Sequence, residues 1–579
     1  PRVANTDTTL VTIAGIQVPV NQVLPFVAVP LEFNADGSLR TYNAGTIGQG
    51  GQGSFGFLSG GDGGNRRAIE NTVLRTEQER IIANLNARWD ITDNISLFTE
   101  NTYARIENVS LRNAGSANSP STAAENAGLV LNINNPYLTQ QNLDVLNSVG
   151  INAASGGNFV LTRQNQDIFG DNSFTNTSET YRLVGGVRAD FSIFGRDWTS
   201  EFSATYGRAK QETQTRNIKD IEYQLALDSV FDPNTNSIRC RSQLFPTEYL
   251  GRTPTGTVSN LTRLPGPDGI PTEGSTLPVI TQSMIDQCQP LNPFGFDNMS
   301  PESKRYVTAE ALFTNISEQT FLQGTVTGGL IDLPAGELVI SGTAEYRKES
   351  LNFFADEFNQ QGRSRTAPSG STNASIEVFE FGGEARIPLT GDDFLPFLGN
   401  LELSPSIRVS EQSGSAATFR NRAGDLVTPT AEGSPQTIWS IAGTWQPIRD
   451  ILLRGNITRS IRQPGIVELF LGGQSAFSVT GDVCGPQTID TGTSRVQRRA
   501  NCIQSVIDNG NVGNLTGADA EAAAAAFLAG YQPAGLSLPG TFTGAPGLRP
   551  ERGRSWTAGG VLTPRFIPRL QVSADYISL

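Results

Sequence analysis

Alternation of apolar and polar residues constrains this chain more than any other feature, because a β-strand turns successive side chains to opposite faces. From Leu401 one face reads Leu401, Leu403, Pro405, Ile407 and Val409, and the other Glu402, Ser404, Ser406, Arg408 and Ser410. From Leu338 one face carries Leu338, Ile340, Gly342, Ala344 and Tyr346, against Ser341, Thr343, Glu345 and Arg347 after Val339. Tyr181, Leu183, Gly185, Val187, Ala189 and Phe191 alternate with Arg182, Val184, Gly186, Arg188 and Asp190. Trp198, Ser200, Phe202, Ala204 and Tyr206 alternate with Thr199, Glu201, Ser203 and Thr205. Similar runs lie at Ile451–Arg462 and Ser555–Leu562. About ten to twelve such segments can be counted, each near the 9–11 residues that a tilted membrane strand needs.

A soluble sandwich also alternates, and the connections separate the two cases. Short turns fall at Thr92–Asn94, Gly195–Arg196, Leu333–Gly336, Gly391–Asp393, Pro447–Arg449 and Arg565–Arg569. Long polar segments lie between them, at Asn113–Asn176, Thr213–Glu302, Ala355–Thr372, Gly414–Ser434 and Pro464–Pro550. Short and long connections taking turns is the asymmetry of an outer-membrane up-and-down barrel, whereas a compact soluble domain rarely carries several structureless loops of this size. Aromatic rings at Trp89, Phe194, Trp198, Phe394, Phe397, Trp445 and Phe566 sit beside the short turns. Barrels carry an aromatic girdle at such a boundary between hydrocarbon and water.

These signals predict an all-β fold, a transmembrane antiparallel up-and-down β-barrel with long extracellular loops. Its apolar faces would meet outer-membrane lipid. Its polar faces, with Arg188, Asp190, Glu201, Glu345, Arg347, Arg408 and Arg454, would line the lumen. Closure is expected, since an open sheet edge in lipid leaves backbone groups unpaired.

Composition removes several functions. The net charge of -13 argues against a nucleic-acid partner, which needs clustered Lys and Arg. With no histidine, Ser-His-Asp catalysis, His-ligated zinc and haem held by a histidine are excluded. No apolar run reaches the roughly 18 residues of a membrane helix. The most helix-like stretch, Ala520 to Tyr531, reads as a surface helix inside a loop. The glycine-rich stretches Gly48–Gly56 and Gly60–Gly64 lack the Gly-Lys-Ser/Thr ending of a phosphate loop and read as a mobile external loop. Asp392 and Asp393 sit in a turn, no Gly-x-Ser-x-Gly elbow is present, and no catalytic constellation or cofactor is expected.

Cys240, Cys288, Cys484 and Cys502 fall two in each of two long loops. Pairing within each loop is the simplest of three connectivities and implies an oxidising compartment. The alternative, one zinc held by four thiolates, has no CxxC spacing to support it.

Several stretches resemble the barrel of TonB-dependent receptors. Thr458 to Phe470 contains Arg462-Gln463-Pro464 followed by Glu468-Leu469-Phe470, similar to that family's Arg-x-Pro-x-x-x-Glu-Leu-Phe strand ending. Leu548-Arg549-Pro550-Glu551, followed by Ser555-Trp556 and Gly559, resembles its Leu-x-Pro-Glu-x-x-x-Ser/Trp-x-x-Gly segment, and Ala574-Asp575-Tyr576 the strand after it. Cys288-Gln289-Pro290-Leu291-Asn292-Pro293-Phe294-Gly295 and Glu345-Tyr346-Arg347-Lys348-Glu349 resemble further signatures. The resemblance runs from about residue 80 to the end.

The resemblance implies a barrel of about 22 strands, and residues 1–579 are expected to be part of one, lacking the signal peptide, TonB box, plug and both barrel ends. It also implies energy-dependent uptake of a scarce siderophore, cobalamin, nickel complex or oligosaccharide. The TonB-ExbB-ExbD complex would act through the missing N-terminal part. A passive porin-like channel, a secreted β-rich adhesin and a carbohydrate-active enzyme are the competing readings. The loops around the cysteines are the regional expectation for substrate contact.

Overall fold

The computed structural model describes residues 2–4, 10–13, 16–19, 31–41, 46–48, 57–59, 75–111, 129–163, 165–169, 173–252, 279–360, 363, 370–420, 426–479, 482–485, 488–513, 515–530 and 537–578. Apart from Gly48, the two glycine-rich stretches lie outside these residues, as does Tyr531.

Twelve strands hydrogen-bond in chain order into one antiparallel sheet. They are β1 (Glu77–Thr92), β2 (Ile95–Leu111), β3 (Ser173–Ile193), β4 (Arg196–Ile218), β5 (Thr308–Leu333) and β6 (Gly336–Ala355), then β7 (Thr372–Thr390), β8 (Asn400–Ala416), β9 (Gln436–Ile448), β10 (Ile451–Arg462), β11 (Glu551–Leu562) and β12 (Val572–Ser578). The count agrees with the sequence pattern, and the predicted short and long connections fall between these strands in alternation. Most strands are longer than predicted, reaching 26 residues in β5, because their ladders continue past the apolar stretch towards the long connections. The sheet is open: β1 and β12 are its edges and do not pair with each other.

Register decides the faces. Leu97, Val187, Phe202, Gly324, Ala344, Phe381 and Val409 follow one another strand to strand, and Ile441, Ile457, Trp556 and Ser578 continue on the same face. This face is apolar along its middle and no protein covers it: Leu85 is 61%, Phe202 52% and Phe381 63% exposed.

The long connections are not structureless, which corrects the sequence reading. Residues 31–41, 129–163, 165–169, 218–252 and 279–307 together build a cap with its own dry core, including Leu31, Phe33, Leu161, Tyr223, Leu291 and Phe294. The local reason is ordinary turn and cap chemistry. Thr139, Thr281 and Ser300 accept backbone N–H bonds at the starts of helices Gln140–Ser148, Gln282–Asp286 and Pro301–Val307. A second, smaller core joins helices Arg495–Asp508 and Gly517–Gly530 through Val506, Ala524 and Leu528. The helix predicted from Ala520 is therefore not simply a surface helix, since Ala520 and Ala524 are buried.

Candidate functional site

All seven residues predicted for the lumen lie on the face opposite the apolar one, by the same register. The structure pairs most of them. Arg188 bonds Glu201 at 2.7 Å across the β3–β4 ladder and stacks over Phe98 at 4.3 Å. Arg408 reaches Glu380 at 2.8 Å and Glu345 at 3.6 Å. Glu345 also accepts from Gln323 at 3.0 Å. Arg347 lies 3.1 Å from Glu349. Asp190 is exposed, opposite Thr199, and is not brought to any of the other six.

Arg454 forms a two-pronged bond with Asp575, at 2.8 and 2.6 Å. The pair spans three strands, with Gly559 of β11 in register between them. A Cβ on Gly559 would lie 2.0 Å from the Asp575 carboxylate. Glycine is what lets the guanidinium cross the intervening strand, which gives a physical reason for the glycine in that segment.

At the long-connection end, residues 463–474 form a strap that folds back over β6–β8. Gln412 donates to the Pro464 carbonyl at 2.8 Å, and Gln463 to Ser410, which in turn donates to Glu380 at 2.9 Å. Leu469 and Phe470 of helix Ile466–Phe470 pack on Ala374 and Ile376. Glu468 accepts from the Gly465 N–H at 2.8 Å, closing the first turn, and pairs with Arg462 at 2.5 Å. The Arg462 guanidinium, then the Gly465 N–H, holds the Glu468 carboxyl below its ordinary range. The Arg-x-Pro-x-x-x-Glu-Leu-Phe spacing thus encodes an ion pair, a buried carbonyl acceptor and two apolar anchors.

The Cys288–Gly295 stretch is the hub of the cap. Cys288 is bonded to Cys240, and Cys484 to Cys502, the pairing within each loop. Phe294 packs on Phe33 with ring centroids 4.8 Å apart. Arg163, fully buried, donates to the carbonyls of Pro293 and Gly295 and to Asp167 at 2.6 Å. Tyr249 donates to Asp228, and burial, then that acceptor, pushes its hydroxyl upward.

Sequence reasoning missed Glu380, Ser410, Gln412, Asp575 and the Arg163–Asp167 pair. It also missed a second belt of rings at the far border of the apolar face: Tyr103, Tyr181, Tyr206, Tyr346, Trp439, Trp556 and Tyr576. Tyr181 and Tyr206 stand 6.1 Å apart, and Trp556 and Tyr576 5.1 Å. Trp198 and Tyr206 of β4 mark the two borders. Their eight-residue spacing spans roughly 26 Å of strand, close to the band height of an outer-membrane barrel. Among the described residues no three His, Cys, Asp or Glu side chains gather as a metal would require. No helix of the described residues is long and apolar enough to cross a membrane, which says nothing of strands.

The sequence profile described as TonB dependent receptor-like, beta-barrel, matches residues 203–577, well over half the chain. No curated protein matches. Among solved structures, the ferric-catecholate import receptor Fiu of Escherichia coli K12, closed form, is 11% identical with a TM-score of 0.34, over 98% of this chain and 64% of that one. The Serratia marcescens hemophore receptor HasR, a double mutant bound to its hemophore HasA and heme, is 8% identical with a TM-score of 0.25, over 98% and 63%. The siderophore receptor PiuA of Acinetobacter baumannii is 11% identical with a TM-score of 0.18, over 69% and 58%. The chain thus spans less than two thirds of these receptors' lengths, and at such scores the likeness carries no further argument.

Proposed function

Because the chain belongs to the TonB-dependent receptor β-barrel family, we propose that it is most of the wall of a bacterial outer-membrane receptor. In this reading the receptor imports a scarce solute, such as a siderophore, cobalamin or an oligosaccharide, at the expense of the TonB-ExbB-ExbD complex, and catalyses no reaction. The observation that carries the reading is a single-layer sheet whose apolar face is bare while its opposite face bears a hydrogen-bonded lattice of charges. Exposed apolar area on this scale is stable against lipid and not against water. The free edges of β1 and β12 cannot face hydrocarbon, so in the membrane the barrel is closed by further pairing. Arg188, Asp190, Glu201, Glu345, Arg347, Arg408 and Arg454 then face the lumen. The strap and the cap are the regions that meet substrate.

The test is fractionation and uptake with the full-length receptor. Detergent-extractable outer-membrane protein, and solute uptake lost when TonB is deleted, are expected. Recovery as a soluble protein overturns the membrane reading, and TonB-independent uptake turns the assignment towards a passive channel.

A further inference from the structure

Among the described residues the apolar face carries one in-register pair of positive charges. Arg459 of β10 and Arg554 of β11 are directly opposite in register. Side chains so placed have Cβ atoms about 4.5–5.5 Å apart, and like charges there destabilise a sheet. Among the described residues several other cations on this face beyond the ring belt are ion-paired, and Arg552, two residues from Arg554, donates to the neutral Gln436 at 2.9 Å. Arg208 lies 3.4 Å from Glu318, Lys210 2.8 Å from Glu212, and Lys348 2.7 Å from Glu377. Arg105 lies 2.9 Å from Glu107. Neither Arg459 nor Arg554 forms an ion pair with a described residue.

The position of the pair adds an independent constraint. One step towards the short turns on the same face is the Ile457–Trp556 pair, and Trp439 lies beside Arg459 on β9. The two guanidinium groups therefore stand at the outer edge of the ring belt, level with Trp439, where lipid headgroups begin. A guanidinium pair flanked by indoles suits a phosphate that bridges both forks. We propose that Arg459 and Arg554 form a site for the phosphate of a phosphorylated glycolipid headgroup in the outer leaflet. The site rests on the outer-membrane reading given above.

The experiment uses full-length receptor purified in neutral detergent and measures thermal unfolding with lipid A, dephosphorylated lipid A or inorganic phosphate. Stabilisation by lipid A alone is expected, with affinity weakened about tenfold for each arginine replaced by serine, the loss implied by one hydrogen bond to a charged group. Arg459→Lys with Arg554→Lys keeps the charges but removes the forks, and its lipid response falls between those of wild type and the double serine variant. Without lipid, Arg554→Ser is neutral or stabilising because repulsion is relieved, an effect opposite in sign to its effect with lipid A. Arg208→Ser, from a neutralised pair, leaves the lipid response unchanged. Equal responses of wild type and Arg554→Ser to lipid A overturn the site. So does an equal response to dephosphorylated lipid A, or stabilisation by inorganic phosphate alone. Cell fractionation reads the membrane assignment separately: outer-membrane protein without a phosphate response refutes only the site.

Discussion

The cap and the apolar band of the sheet use the same kinds of side chain with opposite outcomes. In the cap, Leu31, Phe33 and Leu161 are wholly inaccessible. In the band, Leu85 and Phe202 project with more than half their surface free. The cap is a protein core, close-packed and intolerant of vacancies. The band is one side of an interface whose other side is fluid hydrocarbon. Apolar content therefore says little about where a segment sits. Its periodicity does, because the cap's residues follow no period of two while the band's hold it across successive strands.

The largest way to break this comparison lies in the cap. Arg163 is buried with Asp167 and ties it to the Pro293–Gly295 turn. Arg163→Met leaves a buried carboxylate unmatched, so the cap should lose roughly 3–5 kcal/mol. Amide exchange should rise across 31–41, 129–169 and 279–307, while the β2–β6 ladders keep their protection. Uniform loss across both regions would show that cap and sheet unfold as one unit.

A charge in the band should act the other way. Phe202→Arg puts a guanidinium at mid-band and is expected to cost about 2–4 kcal/mol in lipid vesicles. Thr205→Arg, three residues on and facing the polar lattice, should cost little. Urea titration of the folded receptor in vesicles reads both, and equal costs would erase the distinction between faces. The strap gives a smaller step. Gln412→Ala strands the buried Pro464 carbonyl, a loss of about 1–3 kcal/mol. Limited proteolysis should then open 463–474 before any strand.

The sequence made the sheet legible because alternation is local: Leu401–Ser410 and Tyr181–Phe191 can be sorted into faces without knowing their partners. The order of short and long connections was equally readable, and so were the cystines, since each closes within its own loop. What could not be read depends on register between distant segments. Nothing near Arg454 shows that Asp575 waits across Gly559. Nothing in Gln412 foretells a proline carbonyl on the strap. The far ring belt was hidden for a related reason: Tyr103, Tyr206 and Trp439 align only when the ladders are known. The cap was read as loop because its helices are short and its core draws on three separated segments.

The smallest expected effect concerns the second folded loop and its response to acid. Asp490 takes a two-pronged bond from Arg499, at 2.9 and 2.6 Å, near the start of helix Arg495–Asp508. That bond, then the Coulomb attraction of Arg499 and Arg495, holds the Asp490 carboxyl below its ordinary range. A carboxyl depressed in the folded state stabilises it fully above its unfolded value of about 3.9, and the contribution disappears as pH falls through the folded value. Amide exchange in residues 495–500 should therefore be insensitive to this group between neutrality and about pH 5, and should rise only below about pH 4. Asp490→Asn should bring the faster exchange to neutral pH and remove the acid step. The Cys484–Cys502 link keeps the helix in place throughout, so the change is local fraying. An acid step of the same size in Asp490→Asn would assign it to another carboxylate.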